Sequence, residues 1–574
     1  MPQSEELVNV SAVEIVYSMI PLMAVAWISS RMGLDIESQI LVGTIRTFVQ
    51  LSILGFILDP IFVWGVDLWW VVLAYCGLMI VLASYESSVR SRYYLEGQFW
   101  MVLAPMAVTI FAVGGFAFFV VLRPSPRWDP QYVIPIVGML LGNCINGISL
   151  AMNSILTSFV ESSREIELLL SFGANSYEAT SRLFREAVRT GAMPQLNGMA
   201  IIGIISIPGM MTGQILGGSA VMQAARYQIL ITYFIALCSF VTTLMMMSLT
   251  LQVCFDSRTI LRTELLKKRD KKPTFLDLLK SICRRIGSFC RPWKKRQSSK
   301  RPSLAMSYQS SDERTHLMPP KNALSVSETG GRNGKAPIMR VENLSYGFQS
   351  QIDDEGAACN ISDDDDDTDS QFRILFENVS FSLFAGGTAL VSGPSGVGKS
   401  SLLRILAGLM MPESDGITLA GKSLKSYVDM PLWRKQVRYV PQTKVDIPGT
   451  PLDFVAKISS FKAWKTPVGG SAPAINEVSS ATKNLIRSWG MKSSLLDSEW
   501  KMLSGGESQR ILVAISLASL PMGGVILLDE STSGVDFESK LKVENSVEQC
   551  CQTKSAVAVW ISHDQGQQDR MKKK

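Results

Sequence analysis

Cysteine spacing is the first thing this chain lacks. Its nine cysteines, spread over 574 residues, form no C-x-x-C pair and no regular series. That removes a zinc site and a disulfide framework as organising devices, and reduced, structural thiols fit instead. No residues elsewhere have metal-site spacing. A cleavable leader is missing too: MPQSEELVNV is acidic rather than basic, and the apolar run after it continues to full spanning length. The one strongly basic stretch adjoins an apolar run, so it reads as lipid-facing, and nucleic acid is not an expected partner.

Apolar residues are abundant. They make up 47% of the chain, with a mean hydropathy of +0.19, and the excess lies before residue 255. About 20 apolar residues cross a bilayer. Runs near 11–30, 39–59, 67–84, 99–122, 132–153, 193–217 and 226–254 qualify, which predicts an all-α polytopic membrane domain of about seven spans over 1–255. The sixth run is interrupted by Pro194, Pro208 and several glycines, so six is the fallback count. With seven spans and a cytosolic C-terminal part, Arg31, Arg90 and Arg92 fall on inside loops, whereas Arg123 and Arg127 fall outside. Polar residues inside spans are costly and need a reason. Arg46 and Gln50 share a helical face, and Asn143, Asn146 and Asn153 lie on neighbouring faces. Pro208 and Gly209 would break a helix, which membranes tolerate where backbone lines a cavity or packs inside protein. A substrate pathway through these residues stands beside a simpler reading. In that one Arg46 snorkels or pairs at a helix end and the asparagines glue helices together. The methionines at 210, 211 and 245–247 read as packing rather than soft metal ligands.

The C-terminal third carries chemistry. GPSGVGKS at 393–400 fits the phosphate loop, comprising Gly393, Pro394, Ser395, Gly396, Val397 and Gly398, in which the glycines let the backbone N–H groups of the non-proline residues turn toward phosphates. Lys399 reaches the β/γ oxygens, the Ser400 hydroxyl can ligate Mg²⁺, and Ser401 follows in the helix. The apolar run 525–528 is a buried strand that delivers Asp529 as a Mg²⁺-side carboxylate, and Glu530 sits where a water-activating base belongs. LSGGESQR at 503–510 precedes that strand.

Together these segments resemble the nucleotide-binding domain of ABC transporters, an α/β P-loop fold using ATP and Mg²⁺, here over 338–574. The resemblance implies adenine stacking by Tyr346, and a signature of Ser504, Gly505, Gly506 and Glu507 presented in trans, with Ser504 hydrogen-bonding the γ-phosphate. It also implies a Mg²⁺-sensing Gln442 and a γ-phosphate contact from His563. Phosphate loop and signature lie on opposite faces in that family, which implies head-to-tail pairing, here a homodimer. The family's closing strand and helix are not expected in the eleven residues after His563. In the first half, IRTFVQLSILGFIL, VIPIVGMLLGNCINGISLAMN and SIPGMMTGQILGG are similar to the FetB-type permeases, which include bacterial iron-export and plant aluminium-sensitivity proteins. The second half is similar to their separate FetA-type ATPases, through YVPQT and VAVWISHD. One chain thus fuses what the family encodes apart.

Two stretches link the halves. Residues 161–189 are polar between apolar spans, with Leu168, Leu169, Phe172, Ala179 and Leu183 at helical spacing around Gly173. A cytosolic helix–turn–helix follows, similar to a permease coupling loop, with Gly173 at the turn and docking expected beside Gln442. Residues 256–337 form a basic, partly disordered linker. Leu278, Leu279, Ile282, Ile286 and Phe289 would line an interfacial helix on anionic lipid, with phosphorylation around Ser298, Ser299 and Ser303. The acidic insertion 349–371 reads as a solvated loop. The function expected is an ATP-driven half-transporter in a lipid bilayer, exporting iron or another metal ion. The alternatives are export of a sugar nucleotide such as UDP-glucose, and a mechanotransmitting membrane ATPase that moves no solute.

Overall fold

The computed structural model describes residues 12–269, 324–329, 336–350, 371–412, 415–427, 429–465 and 475–573. The proposed interfacial helix, the serines near 300 and most of the acidic insertion lie outside them. Helices α1 (Ala12–Met32), α2 (Glu37–Trp64), α3 (Trp69–Val89) and α4 (Gln98–Gly115) open the chain, and a π-helical turn, Phe116–Leu122, extends α4. After α5 (Pro130–Glu161) come α6 (Ser163–Ser171), α7 (Ser176–Ile201), α8 (Gly209–Leu216) and α9 (Val221–Cys254), with short strands β1 (Tyr93–Leu95) before α4 and β2 (Leu266–Lys268) after α9. Among the described residues, six helices are long and apolar enough to span a membrane.

The stretch 193–217 is not a continuous span. Helix α7 ends at Ile201, Gly203 turns with φ +81°, and Pro208 caps α8. Proline removes a backbone donor and fixes φ, so the break falls where those residues stand. Six long apolar helices among the described residues match the fallback count.

Inside the membrane unit, serines of α3 find partners on their own helix. Ser84, Ser87 and Ser88 donate to the carbonyls of Ile80, Ala83 and Ser84 at 2.7–2.9 Å. Hydrocarbon offers no water, so such back-bonding is the available route. Helices α5, α7 and α9 approach through small residues. A Cβ on Gly191 would stand 2.7 Å from the Gly147 carbonyl, and one on Gly147 would stand 2.9 Å from Ser239 Oγ. Close backbone contact is what small residues contribute in membranes.

The second unit is built on two sheets. Strands β6 (Thr388–Ser392), β11 (Val557–Ile561), β10 (Val525–Asp529) and β9 (Val437–Val440) run parallel in that order, with β3 (Ser325–Thr329) antiparallel at the β6 edge. All residues of β9, β10 and β11 are buried, as the apolar runs of β10 and β11 require, and β9 buries Arg438 with its neighbours. Strand β3 corrects the linker boundary: 325–329 belong to this sheet, because an edge strand needs only one hydrogen-bonded neighbour. Strands β4 (Met339–Ser350), β5 (Gln371–Leu383), β7 (Ile417–Leu419) and β8 (Lys422–Ser423) form an antiparallel sheet. A helix, Gln565–Lys573, does follow His563, contrary to expectation.

Candidate functional site

Three adjacent parallel strands end at one place. Gln442 follows β9, Glu530 follows β10 and His563 follows β11, so the sheet register alone brings them together. Gln442 Nε2 donates to Glu530 Oε2 at 2.8 Å, and His563 Nε2 lies 3.0 Å from Glu530 Oε1. Glu530 is held at φ +47°, and its N–H bonds to the Ile561 carbonyl at 3.1 Å. A non-glycine residue in that region costs on the order of 1–3 kcal/mol and persists where its neighbours over-determine it. The carboxyl ends of parallel strands are the usual ligand crevice of such sheets.

The phosphate loop leaves the fourth parallel strand, β6. Gly396 and Gly398 adopt φ +81° and +94°. A Cβ on Gly398 would also meet Phe376 and Leu375 at 3.0–3.1 Å, so both backbone and packing demand glycine there. Helix α10 (Lys399–Leu406) starts directly after it, with Lys399, Ser400 and Ser401 in its first turn. Lys399 Nζ donates to the carbonyls of Gly393 and Pro394 at 2.8 and 2.9 Å. Burial lowers the Lys399 pKa, while Glu530 and Asp529 oppose that shift. Ser400 Oγ donates to Asp529 Oδ1 at 3.1 Å, and Tyr439 donates to Asp529 Oδ2 at 2.9 Å. Tyr346 lies on β4, its ring 6.2 Å from that of Phe376.

The signature segment is organised separately. Ser504 caps the helix Gly505–Ser519, and Glu507 returns the bond, a complete capping box. Those hydrogen bonds hold the Glu507 carboxyl below its ordinary pKa. Lys444 Nζ donates to the Leu503 carbonyl at 2.7 Å, and Gln509 Nε2 to Pro441 at 2.6 Å, so the segment after β9 grips the signature.

The 163–183 hairpin folds with the second unit. Asn175 and Glu178 cap α7 reciprocally at 2.8 and 2.9 Å. Gly173 makes the turn at φ +88°, and a Cβ there would meet the Pro431 carbonyl at 2.9 Å. The turn itself sits against Pro431, Lys435 and Ala463, which the expectation of docking beside Gln442 did not name. It is anchored by Trp464 Nε1 donating to the Phe172 carbonyl at 2.8 Å, and by the backbone N–H of Lys462 donating to Glu178 at 2.8 Å. The Arg438 guanidinium lies 4.3 Å from the Phe172 ring centroid. Arg404, five residues after the phosphate-loop lysine, pairs with Glu167 of α6 at 3.0 Å. Burial raises the Glu167 pKa, and Arg404 opposes the shift. None of these partners was legible in sequence, since a lysine- and arginine-rich segment looks the same buried or exposed.

In the membrane unit, Arg46 of α2 lies 3.7 Å from Glu86 of α3, while Gln50 is exposed. Arg90 bonds both Glu86 and Asn146 Oδ1, at 3.3 and 3.2 Å. Asn143 returns to its own helix at the Met139 carbonyl, and Asn153 accepts from the Arg92 backbone. Two asparagines thus act as glue, and the cluster's centre is Glu86, a residue the sequence did not single out. Met246 and Met247 are fully buried packing residues. No cluster of three or more His, Cys, Asp or Glu suited to a metal occurs among the described residues.

Residues 12–255 match the Uncharacterised protein family (UPF0014), and residues 376–533 match the ABC transporter family. A UPF0014 membrane protein of Synechocystis is 34% identical over 213 residues, covering 37% of this chain and 81% of that relative. The "Probable iron export permease protein FetB" of Escherichia coli is 29% identical over 242 residues, 42% of this chain and 91% of the relative. For the C-terminal part, the "Probable iron export ATP-binding protein FetA" of the same organism is 32% identical over 190 residues, 33% of this chain and 78% of the relative. Permease-like and ATPase-like relatives therefore map to opposite ends of one polypeptide.

Proposed function

Because the chain belongs to the UPF0014 membrane-protein family and carries an ABC transporter ATPase on the same polypeptide, we propose that it is an ATP-driven half-transporter. In this reading it works as a homodimer and exports iron or another metal ion. The observation that carries the reading is the convergence of Gln442, Glu530 and His563 at the ends of three parallel strands, beside a phosphate loop starting from the fourth. Glu530, between an amide and an imidazole, is placed to accept a proton from an attacking water. His563 and Lys399 stabilise charge on the γ-phosphoryl oxygens, so the protein contributes positioning and electrostatics more than covalent chemistry. The oxygens of Ser400 and Asp529 converge at 3.1 Å, a hard donor set that fits Mg²⁺. When bound, that ion would neutralise phosphate charge. Ser504 and its own Glu507 fix the start of the signature helix, and head-to-tail pairing rests on the likeness of this part to ABC transporter ATPases.

The iron assignment rests on the names of the FetA and FetB relatives. The membrane cluster of Arg46, Arg90, Glu86 and Asn146 favours a second reading, an anionic cargo such as a sugar nucleotide, because cations outnumber the carboxylate there. ATP hydrolysis by the reconstituted chain separates the two. Stimulation by Fe²⁺ and not by UDP-glucose supports metal export, and the reverse pattern overturns it.

A further inference from the structure

Resting on the transporter reading, we propose that the loop 256–262, which follows α9 in the chain, is a second docking element of the ATPase, seated by Arg434. Helix α11 (Met430–Gln436) carries this arginine, whose side chain is fully buried. Its Nε and Nη2 donate to the Gly408 carbonyl at 3.2 and 2.8 Å. Its Nη1 donates to the Thr259 carbonyl and hydroxyl at 3.1 and 2.7 Å, and Nη2 reaches the Arg258 carbonyl at 3.2 Å. The bonds all go to neutral oxygens, and burial draws the guanidinium pKa down to about 9, so it stays charged near neutrality. A buried cation held this way depends on each acceptor, and most of them lie on the loop.

The loop is shaped to meet it. Thr259 N–H bonds to the Asp256 carbonyl at 2.8 Å, and Arg262 N–H to Cys254 at 2.8 Å. Asp256 Oδ1 accepts from the Ser257 N–H and from Arg262, both at 2.8 Å. Thr259 itself has φ +56°. A β-branched residue in that region is rare and persists only where neighbours hold it. Arg258 in turn reaches the Lys425 carbonyl at 3.4 Å. Four residues beyond Arg434, in strand β9, the fully buried Arg438 lies over the Phe172 ring of the hairpin. Helix α11 and the start of β9 therefore receive two inputs: Arg434 takes the end of α9, and Arg438 with Pro431 takes the hairpin between α5 and α7. The last span then transmits motion to the ATPase directly, as a positioning contact outside the nucleotide site.

The test uses the full-length chain in lipid nanodiscs, spin-labelled at Met222→Cys near the start of α9. Distances between the two copies are read with and without vanadate-trapped nucleotide. The wild-type chain should show a nucleotide-driven shift. Replacing 256–262 by a Gly/Ser segment should abolish it, Thr259→Val should reduce it, and Thr259→Ser, which keeps the acceptor oxygen, should preserve it. Trapped nucleotide should stay within about twofold in every variant, since the loop lies outside the ATP site. A full shift in the loop-replaced chain overturns the second docking element. No shift in the wild-type chain despite trapped nucleotide overturns the transporter reading itself.

Discussion

Glu530, the base in the proposed mechanism, sits in a conformation that few residues adopt. At φ +47° its backbone is held by β11, while its two carboxylate oxygens face Gln442 and His563. Glu530→Gln keeps the shape and removes the base, leaving Lys399 and Ser400 to bind the phosphates. Turnover should fall by about 10²–10⁴ while ATP affinity stays near wild type, measured as phosphate release and nucleotide binding on the same preparation. Turnover within about twofold of wild type would remove Glu530 from its role. These residues were legible in sequence because each is tied to a motif or to a strand terminus, where position fixes geometry. Arg434 and Arg438 were not. In WRKQVRYV, four residues apart, nothing distinguishes a guanidinium sealed under Thr259 or Phe172 from one in water.

At the scale of elements, the hairpin turn matters most. Its helical spacing around Gly173 predicted two short helices and a sharp turn, and the positive φ explains why the turn residue is glycine. Its individual docking partners were not legible, because contacts distant in sequence leave no local signal: Pro431, Ala463 and Trp464 lie some hundreds of residues away. Gly173→Val would need both a strained backbone and a displaced Pro431 carbonyl, at a cost of about 1–3 kcal/mol. ATP affinity should remain near normal, while cargo-stimulated hydrolysis and transport should be lost in proteoliposomes. Normal transport by this variant would show that the turn is packing alone. Strand β3 and the loop 256–262 were absorbed into a supposed linker for a related reason. Short edge pieces take their order from a neighbour, not from their own composition.

For the whole molecule, the central claim is a homodimer with two composite ATP sites, each pairing one copy's phosphate loop with the other's signature. The membrane half was readable from hydropathy as an all-α domain of about seven spans, six of which stand as long apolar helices among the described residues, and the fusion from motifs at both ends. Pairing is a property of two chains, so it needs a test with two. Lys399→Ala disables the loop side and Ser504→Arg the signature side, so each variant alone should be nearly inactive. In a mixed dimer both lesions fall in one site and the other stays whole. Random pairing makes about half of the dimers mixed, each with one intact site, so mixing equal amounts should restore about a quarter of wild-type hydrolysis. Hydrolysis no higher than that of the separate variants, in mixed dimers isolated through two different tags, would contradict the account.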